Sequence, residues 1–180
     1  MNRVLIPIFM VSAVVFPAAL FSQEKLSATN LSDFLARYDT NFGPLEAVFK
    51  QLANENLPLR DEAGHPLARR PFEDRLAAMA NLHSTSRQLA AKPEDLVLAA
   101  TIVIQTESLA DDLFDLSQVA YDNDLEELGD HLGALEVTME DNKQLLADYL
   151  LAVAAEKQNR LQQLEQEVDE LNQKVKEGTK

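Results

Sequence analysis

The chain has 180 residues, 46% of them hydrophobic, and a formal net charge of -14 from 30 acidic against 16 basic residues. That length buries one sizeable core and scarcely two, and the charge opposes direct binding to nucleic acid or an anionic bilayer while favouring cations and basic partners. No cysteine occurs, which excludes disulfides, thiolate zinc sites, haem attachment through CxxCH and lipidation at a cysteine.

Residues 1–22 read as a secretory signal peptide. MNR supplies one positive charge, VLIPIFMVSAVVFPAAL the apolar run, and Ser22 a small residue at a plausible cleavage point. The competing reading is a retained anchor, because residues 4–20 approach the length of a bilayer span. Pro7, Pro17 and the polar residues 22–24 favour removal. The expectation is an exported protein, periplasmic or secreted, that rests on its packed core and has no membrane contact after cleavage.

Past residue 26 the apolar spacing is helical. Leu31, Phe34, Leu35 and Tyr38, then Leu45, Val48, Phe49 and Leu52, recur at three and four residues, with Asn30 or Ser32 placed to cap the start. Gly43-Pro44 predicts a kink or break, since proline removes an amide donor and crowds the preceding turn. Residues 57–71, LPLRDEAGHPLARRP, hold three prolines and a glycine and read as a long loop.

A second helix opens at Pro71, with Glu73 and Asp74 in its first turn and Phe72, Leu76, Met79 and Leu82 or His83 facing inward, to about Ala91. Lys92-Pro93 leaves so little chain that the next helix turns back on it as an antiparallel hairpin. LVLAATIVI, residues 96–104, is apolar nearly all round, which predicts the most enclosed helix of a bundle. Asp122, Asn123 and Asp124 favour a turn, and Asp124 with Glu127 has the spacing of a capping box.

Nothing then interrupts the pattern until Gly178. A helix of that extent is roughly 80 Å long, about twice its predecessor, and half of it has no neighbour in a bundle. In the tail Leu161, Val168 and Val175 fall at a positions of a heptad, and Leu164 and Leu171 at d, a combination that favours two-stranded parallel coiled coils. Arg160 is then at g and Glu165 at e, so a parallel pair brings them together across chains, whereas an antiparallel pairing tends to set like charges together. The alternative is a break near residues 156–160 and a fold-back onto the bundle.

Between residues 93 and 142 there are fourteen Asp and Glu and no Lys or Arg. Glu107, Asp111 and Asp115 share one helical face, where like charges repel. Either Arg69, Arg70, Arg75 and Arg87 neutralise the acids or they point at water. Asp122, Asp124 and Glu126 imitate the start of a calcium loop, but Glu127 stands at the glycine position and Gly133 at the bidentate acid. His83 and His131 lack the Glu-x-x-His spacing of a di-iron bundle, and HExxH is absent. A mononuclear site joining His83 or His131 to Glu107 or Asp111 is the residual metal reading.

Ser84, Thr85 and Ser86 follow His83, but consecutive helical residues fan out around the axis and form no nucleophile-base pair. No GxSxG, phosphate loop or dinucleotide fingerprint is present. The expectation is therefore an all-α protein with no enzymatic activity and no cofactor. Residues 23–156 form an antiparallel bundle of three to four helices, and residues 157–180 form a coiled-coil-like extension of the last one. Functionally it reads as an exported interaction or scaffold protein with an acidic face, whose C-terminal helix binds itself or a protein partner through Arg160, Leu161, Leu164, Glu165, Val168, Leu171 and Val175. The alternative is a small-ligand or metal-binding bundle, with the basic residues of the 57–71 loop receiving an anion.

Overall fold

A computed structural model describes residues 26–54, 59–61 and 63–178. Residues 1–22, expected from the sequence to be a signal peptide, lie outside them. The described chain is an all-α bundle of α1 (Leu31–Thr40), α2 (Phe42–Asn54), α3 (Arg70–Ala91), α4 (Leu96–Asp122) and α5 (Glu126–Gly178). No strand occurs among the described residues; the nearest approach is an isolated antiparallel bridge between Arg60 and Pro66.

The break between α1 and α2 falls at Asn41, two residues before Gly43. Pro44 then sits in the first turn of α2, where its missing N–H has no intrahelical partner to lose. Asn30 occupies the N-cap of α1 without capping it. Its side-chain oxygen instead accepts from the Ser27 backbone N–H at 2.7 Å, which closes the entering turn.

The α1–α2 pair lies against α3, α3 packs on α4, and α4 runs antiparallel along α5. The largest buried side chains are Tyr38, Tyr149, Phe42 and Phe49. Tyr38 meets Phe42 edge-on with ring centroids 4.8 Å apart. Its hydroxyl bonds Thr106 of α4, whose own hydroxyl donates to the Ile102 carbonyl at 2.7 Å, so the phenol is the donor. Burial holds the Tyr38 phenol far above its ordinary pKa.

α4 opens on Asp95, whose carboxylate accepts from the Val97 and Leu98 amides. It is not the enclosed helix that LVLAATIVI suggests. Ala99 and Ile102 are buried, but Val97 and Ile104 are 74% and 64% exposed. With α3 and α5 as its main neighbours, the face carrying residues 97 and 104 is left uncovered among the described residues.

At its far end α4 closes with a Schellman turn rather than handing over to a capping box. Asp124 adopts φ +58°, the Leu125 amide reaches back to the Ala120 carbonyl and the Asp124 amide to Tyr121. Asn123 ties this end to the irregular segment before α3: its oxygen accepts from the Arg60 amide and its nitrogen donates to the Arg60 carbonyl, each at 3.0 Å. Leu59 enters the core beside this clamp. Gly129, in the first turns of α5, lets the Tyr121 ring lie against its backbone, since a β-carbon there would come within 2.7 Å of the ring.

α5 is a single helix of 53 residues. At 1.5 Å per residue it spans about 80 Å, against about 40 Å for α4. Leu132, Met139, Leu146, Tyr149 and Val153 are buried. Tyr149 donates to the Pro93 carbonyl in the α3–α4 turn, and Lys157 lies 3.5 Å from Glu94 of the same turn. The bundle therefore ends level with Lys157, leaving about 30 Å of helix beyond it.

Candidate interaction surface on the last helix

Every residue from 158 to 177 is exposed. Leu161, Leu164, Val168, Leu171 and Val175 are 62%, 41%, 55%, 60% and 67% exposed. Large apolar side chains scattered singly on a surface are ordinary, but five at heptad spacing on one projecting helix form a continuous strip. Arg160 and Glu165 flank that strip and are also exposed. The helix continues without a break through residues 156–160, so the strip does not fold back onto the bundle.

Helical phase fixes the direction in which the strip opens. Eighteen residues make five turns, so Leu164 points the same way as Leu146, and Leu171 the same way as Val153. Leu146 and Val153 are 1% and 6% exposed on the side of α5 that packs on α4. The exposed strip thus continues the seam that α4 fills, beyond the point where α4 ends.

Part of the acidic region is paired, by Arg75 from the arginines named in the sequence and by Lys143, which lies outside that set. Lys143, on α5 just past the acidic run, lies 2.6 Å from Glu140 and 3.8 Å from Glu107. A hydrogen bond to Glu140, reinforced by the charges of Glu140, Glu107 and Asp111, raises its pKa. Arg75 pairs with Asp112 at 2.6 Å. Asp130 accepts the Tyr121 hydroxyl at 2.7 Å, which raises that phenol's pKa.

The contacts of His83 are with α1 and α2. Its Nδ1 lies 3.4 Å from Asp39 of α1 and its Nε2 3.7 Å from Glu46 of α2, with the ring edge-on to Phe42. Two carboxylates on opposite nitrogens suit a structural bridge between three helices; a single ion cannot be bound by both nitrogens of one ring. The Glu46 carboxyl is held below its ordinary pKa, first by the hydrogen bond from Lys50 and then by charge from Lys50 and His83. Among the described residues no group of three or more His, Asp or Glu is arranged to hold a metal ion, and no helix is long and apolar enough to cross a membrane.

An open groove lies between the 59–67 segment and α4, lined by Arg60, Asp61, Gly64, Asp115, Gln118 and Asp122. Three carboxylates face one guanidinium there, and that guanidinium donates to the Gly64 carbonyl at 2.8 Å. The balance of charge opposes an anionic ligand. No family model matches the chain, and neither the curated proteins nor the solved structures contain a match.

Proposed function

We propose that the protein is an exported, non-enzymatic interaction protein: the bundle is a platform, and residues 158–178 of α5 are the arm by which it binds a second copy or a protein partner. One observation carries this reading, the strip of Leu161, Leu164, Val168, Leu171 and Val175 exposed at a and d spacing on a helix that has left its bundle. Water contact at five such side chains is unfavourable, and association is the ordinary way to relieve it. The N-terminal apolar run supports export. The net charge of -14 supports an aqueous, protein-directed role over nucleic-acid binding.

Sedimentation equilibrium of the mature chain and of a version ending at Lys157 tests the proposal. The full-length protein is expected to gain mass with concentration, and the shortened one to remain at the mass of a single bundle. Identical monomeric behaviour of both, up to about 200 μM, a weak-affinity limit near -5 kcal/mol, would remove the basis for an associating arm.

A further inference from the structure

Resting on that reading, the geometry points to a specific partner and orientation: a second copy of the same chain, joined antiparallel through residues 161–178. In this pairing Val168 of each chain meets Leu171 of the other, Leu164 meets Val175, and Glu167 meets Lys174.

The direction of the strip decides against a parallel pair. Leu164 and Leu171 open on the side of α5 that α4 occupies about three and five turns earlier, at Val153, and helices pack with their axes about 8–10 Å apart. A parallel second α5, followed back from Leu161, reaches within four residues the space of the α3–α4 turn, where Glu94 stands 3.5 Å from Lys157. The two α5 helices would have to splay there. α5 contains neither proline nor glycine between Gly133 and Gly178, and sharp bends need one of these or a local insertion in the backbone ladder. The attraction between Arg160 and Glu165, which favours a parallel pair in sequence, lies at the level where this crowding is greatest.

An antiparallel second tail arrives from the free end and can stop short of the turn. Reversing one helix sets g against g and e against e across the seam, so the register is read from those flanks. In full overlap, with Leu161 opposite Leu171, Glu167 faces Glu167, Glu165 faces Glu165 and Arg160 faces Lys174. That register also drives Val175 of the second copy to the level of Lys157, against the turn. Withdrawing by one heptad removes both faults. Val168 then lies opposite Leu171 and Leu164 opposite Val175, giving four layers by the two-fold symmetry. Glu167 faces Lys174 twice, and Glu165 faces Asn172. Gly178 of the second copy comes level with Leu161, about 6 Å clear of the turn. Withdrawal by a further heptad leaves two layers and sets Lys174 against Lys174. One register satisfies shape and charge together.

Eight apolar side chains form a small interface, at the weak end of specific association. Because the chain has no cysteine, Val168→Cys and Leu171→Cys placed singly in the full-length protein report the orientation after mild oxidation. The antiparallel register predicts a cross-linked species of about twice the 20.1 kDa chain when the two variants are mixed, with little from either alone. Efficient cross-linking of each variant alone would show a parallel pair, overturning the orientation and leaving self-association intact. Absence of cross-links in every mixture, with monomeric sedimentation, would overturn both. Glu167→Lys is expected to weaken the dimer about tenfold, and Lys174→Glu in the same chain to restore it. Failure of the double exchange to restore it counts against this register.

Discussion

The bond from Tyr38 to Thr106 is a polar link between α1 and α4, and its two ends differ in what their removal leaves behind. Tyr38 is 1% and Thr106 0% exposed, and the phenol donates while the Thr106 hydroxyl donates onward to the Ile102 carbonyl. Tyr38→Phe removes a donor and leaves Thr106 with its own donor satisfied. The expected loss is about 1 kcal/mol, the net worth of one hydrogen bond. Thr106→Val keeps the shape but strands a buried phenol without an acceptor, and is expected to cost about 2–3 kcal/mol. The double variant, in which both groups are apolar, should cost less than Thr106→Val alone. Urea denaturation followed by circular dichroism at neutral pH measures all three. Alkaline pH provides a second reading: the folded phenol titrates above its unfolded value of 10.0, so its contribution is complete below pH 10 and is lost as pH rises towards the folded value. Tyr38→Phe should therefore flatten the fall in stability above pH 10. A Thr106→Val variant no less stable than Tyr38→Phe would show that water reaches the hydroxyl and that the link is not buried as described.

Replacing Lys143 with Gln leaves Glu107, Asp111 and Glu140 without their shared cation; the variant should be less stable at about 10 mM salt and indistinguishable near 1 M, where screening acts within about 3 Å, and a deficit independent of salt would point to lost packing instead. Asp124→Gly relieves the left-handed backbone at the end of α4 and should stabilise the protein by about 1 kcal/mol in the same urea titration; no gain would mean the Asp side chain compensates the strain. Ending the chain at Lys157 should change bundle stability by less than about 0.5 kcal/mol in dilute solution, because residues 158–177 are all exposed, and a loss of several kcal/mol would reveal a tail that rests on its own bundle.

Much of the architecture was legible because it depends on local spacing. The Pro71 opening of α3, the short 92–95 connection and the unbroken apolar series of α5 all follow from period and turn chemistry. The errors arose where the decisive partner is distant in sequence. The apolar run at residues 96–104 cannot say which of its faces meets another helix, so Val97 and Ile104 read as core and are exposed. Lys143 stands one residue outside the acidic run yet reaches into it across the α4–α5 seam, whereas Arg75, one of the arginines expected to neutralise the run, does pair with Asp112. Asn123 looked like an ordinary turn residue, and its bonds to Arg60 span 63 positions. His83 gave no hint of Asp39 and Glu46, which come from two other helices. For the tail, the heptad names the apolar positions, but all of residues 158–177 are exposed, and the direction in which the apolar strip faces required the phase of α5 relative to α4.

The continuity of α5 means that one rigid element obeys two separate sets of constraints along its length. Up to Val153 its side chains are tied to those of α4, and a change there propagates through folding. From residue 158 to 177 every side chain is exposed, so a substitution there leaves the body of the bundle untouched; under the proposed function, affinity and partner choice can then drift or be redesigned without a thermodynamic penalty to the body that carries the helix.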